Sequence, residues 1–486
     1  MNETRPSPGR AAGLRAHHLA VVAALVMLVT LLGLPAHATY GARVSGDEPQ
    51  YLLTARSLGR DGNLDISDEI ANQEFRPFHH VDLDPQTYPL DLTGRQLSPH
   101  DPLLPAILAV PMRLGGWATA KATLAALAGA LAALSVWVAV QRFAVRPGTA
   151  AAVVSAFACT TPLATYATQV YPEIPAALAV MGAVAALTGE LRRRGLLVFA
   201  LAITTLPWLS VKYLPVAAAL FLVALWHLRH RRGAALGLTL ALGALGVAYL
   251  VAHRQLYGGW TAYSSGDQFV GSGEFSVIGT SPNYVGRSRR LLGLLVDRGF
   301  GLAAWAPAWL IVPFALGALA RRRPRGSAAL AVPVAAGWFV ATFIALTMHG
   351  WWWPGRQLVV ILPLLVVAIA WVVDQVPAAR VPLLAATVFG VVTWVWTTFE
   401  AITRRHVLIV DFEETGNPWY HVWRQLLPDG RTHTGADDVL LAAWWLVAIG
   451  LAVLGWRTSR FGGRPSKVGE PTYSTRLDLP AGVRQT

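Results

Sequence analysis

The chain has 486 residues, 54% of them hydrophobic and only 14% charged, with 40 Lys and Arg against 27 Asp and Glu for a net charge of +13. A soluble domain carries about 25% charged residues, so the composition excludes an ordinary water-soluble enzyme and points to lipid. Only Lys121, Lys212 and Lys467 of the basic residues are lysine, and the single cysteine, Cys159, excludes an intrachain disulfide and a cysteine-based metal site.

The apolar residues gather in blocks of roughly 18–22, the length that carries a helix across about 30 Å of hydrocarbon. Backbone polar groups in lipid must be satisfied internally, so the blocks are read as helices rather than strands. In chain order, spans are expected near 17–36, 117–141, 149–167, 174–190, 196–211, 213–228, 234–252, 300–320, 327–347, 357–374, 381–399 and 439–456. The fold class is thus an all-α polytopic membrane protein of about 12 transmembrane helices (11–13). The first block follows Arg10 and Arg15 like a secretory signal, but its length makes it a retained first helix.

Charge sets the expected topology. With both termini cytoplasmic, the inside segments hold 22 Lys and Arg against 5 Asp and Glu, leaving 18 and 22 outside. This distribution assigns the positive charge to cytoplasmic loops and excludes nucleic acid as a partner; the partner it implies is the bilayer of the plasma membrane. Three long segments lie outside, near 37–116, 253–299 and 400–438. The first holds 11 acidic and 5 basic residues over 37–101 and shows helical spacing after Pro49. Its end, Pro102 to Leu114, is apolar but too short to span and reads as an interfacial or re-entrant helix. The expected organisation is a cytoplasmic N-tail over 1–16, a catalytic membrane module over 17–400 that includes loop 37–116, an outer loop and last helix over 401–456, and a disordered cytoplasmic tail over 457–486.

The residues that could carry chemistry lie on the outer side. Ser45-Gly46-Asp47-Glu48-Pro49-Gln50-Tyr51 places two adjacent carboxylates beside the membrane, which is costly unless a cation, a metal or a proton-bearing substrate uses them. A carboxylate is the usual base for a hydroxyl nucleophile. Asp47 is equally well placed to cap a helix that has Pro49 in its first turn, and the two roles are compatible. Glu173, in Tyr171-Pro172-Glu173-Ile174-Pro175, is the only acid between Asp101 and Glu190; it reads as a substrate contact or as a helix-start acid favoured by the dipole. Lys212, Arg298 and Arg356 are the outer cations, read either as phosphate contacts or as snorkelling side chains at helix ends. Arg356 follows three tryptophans, Trp351, Trp352 and Trp353, which form an interface belt or a stacking wall for a sugar ring. His79, His80, His100, Asp101 and His349 are candidate metal ligands without metal-binding spacing. No nucleotide loop, dinucleotide fingerprint or Gly-x-Ser-x-Gly is present.

The run Asp47-Glu48-Pro49-Gln50-Tyr51-Leu52-Leu53-Thr54-Ala55, directly after a first helix and opening an outer loop, resembles the acidic signature of the C-type (GT-C) glycosyltransferases, in particular the branch of protein O-mannosyltransferases and aminoarabinose transferases. The resemblance covers roughly residues 15–400, and His100 to Pro105 resembles the segment leading into that family's second juxtamembrane helix. It implies a GT-C-like fold with juxtamembrane helices in the first outer loop. The implied reaction transfers a sugar, with inversion, from a polyprenyl-phosphate donor to an extracytoplasmic acceptor. Asp47 and Glu48 are the expected catalytic pair, with Glu173, Lys212, Arg298, Arg356, Tyr51, His100 and Asp101 around the substrate. The lipid-linked sugar is a substrate rather than a cofactor; a divalent metal ion is a candidate cofactor with no ligand set assigned. The rival readings are a transporter or flippase, a non-catalytic envelope-assembly protein, and a polysaccharide polymerase or ligase. A transporter would place ionisable groups near the midplane, whereas here they sit at the outer helix ends.

Overall fold

The computed structural model describes residues 14–266, 282–432 and 434–458. The expected disordered tail therefore lies outside the described residues apart from its first two positions, as does most of the N-tail. Among the described residues there is no β-sheet, only isolated bridges such as Ala42 with His79.

The chain opens with α1 (Ala16–Leu31), an apolar helix, and a short extended passage leads to α2 (Glu48–Arg60) and the single turn α3 (Ser67–Ala71). Helix α4 (Leu103–Phe143) is two helices joined at a break, because Gly115 and Gly116 leave helical geometry and Gly116 takes φ +66°. A left-handed residue at that point suits glycine, which has no Cβ to clash. The short apolar stretch before the break is thus helical and distinct from the span after it.

Helices α5 (Pro147–Ala158), α6 (Leu163–Tyr166), α7 (Glu173–Leu187), α8 (Arg193–Leu209), α9 (Leu214–Leu228) and α10 (Arg232–Tyr257) follow. The second half of the chain contributes α11 (Tyr284–Ser288), α12 (Arg290–Val296), α13 (Leu302–Trp305), α14 (Val312–Arg322), α15 (Ser327–Phe339), α16 (Leu362–Gln375), α17 (Arg380–Ile402), α18 (Pro418–Trp423) and α19 (Gly435–Thr458).

Six helical stretches among the described residues are long and apolar enough to cross a membrane, and four shorter apolar helices accompany them. The chain is a multi-pass membrane protein, and several of its apolar segments are broken rather than continuous helices. The predicted span 149–167 ends at Ala158, where Thr160, Thr161 and Pro162 break it, and 300–320 is interrupted at Pro307, which lacks the N–H a continuous helix needs.

The core is centred on α16, buried along almost its whole length. By contrast, only 11% of the most apolar window of α10 and 6% of that of α19 is buried, so their leucines and valines face outward as lipid contacts. Helix α19 is held against α14 by close backbone approach at Gly317 and Gly455, where any Cβ would collide with Ala452 and Phe314. At one end of the bundle, Arg146 at the start of α5 donates to Asp374 near the end of α16 at 2.6 Å. This joins two loops that charge counting assigns to the same side.

Candidate functional site

Asp47 occupies the position before α2, yet its side chain makes no capping bond. It instead receives a hydrogen bond from Arg356 Nη2 at 2.7 Å. The turn that presents it depends on Gly46 at φ +49°, where a Cβ would lie 2.8 Å from the Tyr171 hydroxyl. Any other residue would meet both a strained backbone and a blocked neighbour.

Arg356 lies in a short 3-10 turn after Gly355, on the approach to α16. Its Nε donates to Glu173 Oε1 at 3.0 Å, and Lys212 Nζ donates to the same oxygen at 2.8 Å. One carboxylate at the first position of α7 therefore holds two cations, and one of those cations also holds Asp47. The Arg356 guanidinium lies 4.0 Å from the Tyr171 ring centre and 5.3 Å from that of Trp352. Stacking fixes its plane, which leaves fewer rotamers to lose when a ligand binds. The neighbouring tryptophans divide: Trp353 is buried against Trp305, while Trp351 is exposed.

Glu48 points the other way. Fully buried, it accepts from Val170 N–H at 2.6 Å and from Ser45 N–H at 2.8 Å, with Lys121 Nζ 3.8 Å away. Lys121 in turn donates to the Arg43 carbonyl at 2.6 Å. The two adjacent acids thus face different surroundings: Asp47 keeps about 25% of its side chain exposed, whereas Glu48 ties three chain segments together. Their proton affinities separate accordingly. Burial alone would raise the Asp47 carboxyl, but Arg356, then His100 and Lys212, hold it at about 2. Burial raises Glu48 above its usual value against the opposing pull of Lys121.

Tyr51, one turn into α2, stacks on His100 with ring centres 4.6 Å apart. Burial lowers the proton affinity of the His100 imidazole, against the opposing pull of the Asp47 charge. Asp101 does not touch this group. It is buried, accepting from Tyr249 at 2.8 Å, His253 at 3.0 Å and Val211 N–H at 3.1 Å, and so fixes the residue preceding Lys212.

Of the nine site residues expected from sequence, Asp47, Glu173, Lys212 and Arg356 form one connected ion network, with Tyr51 and His100 beside it. Glu48 and Asp101 brace it from behind. Arg298 is not brought to it. That side chain donates to the carbonyls of Arg424 and Leu427 at 3.2 and 3.1 Å and faces Asp437 at 3.6 Å, so it knits the 424–437 loop together. The histidines do not converge either: His79 contacts the Asp82 carbonyl and His349 faces Asp297 at 3.9 Å. Sequence reasoning passed over Lys121 and the Tyr249-His253-Tyr257 stripe. Both had a signal, the first as a lysine inside an apolar block and the second as three polar rings at i, i+4 and i+8.

A concavity of about 530 Å³ that none of these network residues lines is bounded by Arg287, Arg289, Arg290, Asp297, His349 and Asp429. Other residues of α12, Leu291, Leu292 and Leu295, line an open apolar groove of about 620 Å³ shared with α14, α15 and α19.

No family model matches the chain, and no curated protein sequence is similar to it. Two solved structures are similar in fold. One is ArnT from Cupriavidus metallidurans bound to undecaprenyl phosphate, with a TM-score of 0.49, 13% identity and coverage of 92% of this chain and 78% of that one. The other is the same protein in the apo state, with a TM-score of 0.47, 14% identity and coverage of 91% and 77%.

Proposed function

We propose that this chain is a membrane glycosyltransferase that moves a sugar from a polyprenyl-phosphate carrier to a hydroxyl acceptor on the extracytoplasmic side. The observation that carries the reading is the shared Glu173 carboxylate, which holds Lys212 and Arg356 together directly beside the partly exposed Asp47. Two cations fixed on one oxygen form a preorganised seat for a phosphate, and charge held in place before the reaction is what most strongly stabilises a leaving anion. The Asp-Glu-Pro-x-Tyr signature over Asp47–Tyr51 adds the family-level expectation.

The reaction is a single displacement. The acceptor oxygen bonds to the anomeric carbon as the bond from that carbon to the lipid phosphate breaks, and Asp47 takes the acceptor's proton. Held at about 2 by Arg356, Asp47 is a weak base at rest. As negative charge builds on the departing phosphate, Arg356 is drawn from Asp47 towards it, and the proton affinity of Asp47 rises when the proton must move. The prenyl tail lies in a groove between helices that is open to the bilayer, and the apolar groove along Leu291 and Leu295 has the chemistry for it.

The test is transfer of label from a radiolabelled polyprenyl-phosphate sugar in membranes carrying the protein. Asp47→Asn is expected to abolish incorporation while expression and membrane insertion stay intact. Full incorporation by that variant would overturn the assignment of the base. No incorporation by wild-type membranes over a panel of lipid-linked sugars would overturn the activity itself.

A further inference from the structure

The far end of α2 carries a second group of acids, removed from Asp47 by the length of the helix. Thirteen residues at about 1.5 Å each put it about 20 Å away. Asp61 follows the last turn of α2, and Asp68 and Glu69 open α3. One carboxylate oxygen of each lies within 4.8 Å of the other two. Arg56 and Arg60 both form their ion pairs with Glu74, and the Arg56 charge only reaches Glu69 and Asp61 from beyond contact distance. Among the described residues none of the three acids forms an ion pair with Lys, Arg or His.

Glu69 supplies the independent observation. It is only 2% exposed, its Oε2 receives no N–H donor, and the side chain it lies against is another acid, Asp68. A carboxylate oxygen sealed from water without a donor is costly, and a cation in the cluster removes that cost. The loop is otherwise well satisfied. Ser57 Oγ donates to the carbonyl of Asp65 at 2.6 Å and to Asn63 Oδ1 at 2.9 Å, and Asp65 Oδ1 receives Gln96 N–H at 2.9 Å. Asp61, Asp68 and Glu69 are therefore not needed to shape the turn.

We propose that Asp61, Asp68 and Glu69 form a binding site for a hard divalent cation, calcium, which ties the end of α2 to α3. Calcium takes oxygen ligands at about 2.3–2.6 Å, so ligands on opposite sides of the ion stand about 4.8 Å apart and adjacent ones closer. The spacing fits. Three carboxylates on one site suit calcium better than magnesium, which keeps most of its water and uses one or two carboxylates. Softer metals want His or Cys, and the cluster has neither. Glu69 is the inner ligand; Asp61 and Asp68, both exposed, leave an open face for waters to complete the shell. The site is independent of the sugar-transfer reading.

The test uses the full-length protein in detergent, stripped with chelator and returned to radioactive CaCl2 in equilibrium dialysis, with thermal unfolding followed in parallel. One saturable calcium per chain is expected, together with a higher Tm in calcium than in chelator. Asp68→Asn is expected to weaken binding at least about tenfold, the equivalent of about 1.4 kcal/mol. Asp61→Asn with Asp68→Asn should abolish both the binding and the Tm shift. Asp91→Asn, an exposed acid elsewhere in the same loop, should change neither. Because Asp61 and Asp68 are exposed, their variants retain the fold even where a change at Glu69 does not. Absence of saturable binding in the wild-type protein, or binding that survives in the double variant, would overturn the proposal.

Discussion

Arg356 reaches across the bundle to place its Nη2 2.7 Å from Asp47 Oδ2, although 309 positions separate the two in sequence. Its Nε simultaneously meets Glu173 at 3.0 Å. This double contact uses the fixed fork of the guanidinium, and lysine has no second donor at that spacing. Arg356→Lys should therefore keep the charge but lose one of the two partners. The expected result is a loss of at least about 10²-fold in sugar transfer, the scale seen when one preorganised donor is removed, with a thermal unfolding profile close to wild type. Transfer within a few fold of wild type would show that charge alone suffices.

The Glu48 and Lys121 pair calls for a stability measurement. Both side chains are almost wholly buried, and removing one partner strands the other charge. Lys121→Met is expected to destabilise the protein by about 3–5 kcal/mol, read as a fall in Tm in detergent. Adding Glu48→Gln should recover part of that loss, because the stranded charge is then gone. If the double variant is as unstable as the sum of the two single variants, the pair is not a coupled unit.

Much of this arrangement was legible in sequence, for reasons that differ residue by residue. Asp47, Glu173, Lys212 and Arg356 stood out because charge is scarce in a chain built for lipid, and positive-inside counting put all four on one face. Their mutual contacts were not legible, since no local pattern reports that Glu173 would bridge residues 39 and 183 positions away. Glu48 looked equivalent to Asp47 because adjacency says nothing about direction; only the turn at Gly46 sends one outward and the other inward. Arg298 misled for the converse reason, as an outer-face arginine whose local partners in the 424–437 loop were invisible. Helix continuity was not legible where apolar composition runs on through Pro162 and Pro307, which stop the helix without stopping the hydropathy.

Asp47 also sets a pH dependence. Its folded value of about 2 lies below the ordinary 3.8, so it contributes stability above about pH 4 that is lost as pH falls towards 2. At 1.4 kcal/mol per unit the contribution is about 2 kcal/mol at most, since a quarter of the side chain meets water. Glu48 has the opposite sign: its raised value adds stability at acid pH that is lost as pH rises through the folded pKa. In the proposed reaction Asp47 is the base, and it stays ionised throughout the neutral range. Transfer rates are expected to show no acid limb from about pH 5 to 8, measured in sealed membranes with donor in excess. An acid limb centred near pH 6 in the wild-type protein would contradict this.

Asp101 offers the sharpest separation between contact and positioning. Oδ1 accepts from Tyr249 and His253 on α10, and Oδ2 accepts from Val211 N–H beside Lys212. Helix α10 is otherwise largely turned to lipid, so this carboxylate is a principal polar tie between that helix and the site. Asp101→Asn keeps the volume but replaces one acceptor with an NH2 donor, which must face either Val211 N–H or the Tyr249 and His253 pair. Hydrogen bonds to a charged group contribute about 1.5–3 kcal/mol each, so the variant should lose about 2–3 kcal/mol of stability. Transfer should fall through misplacement of Lys212 even in the fraction that stays folded. His253→Ala made in the Asp101→Asn background should add little, because the contact it removes is already broken. A double-mutant cycle in detergent measures this directly, and strictly additive costs would show that Asp101 and His253 act separately.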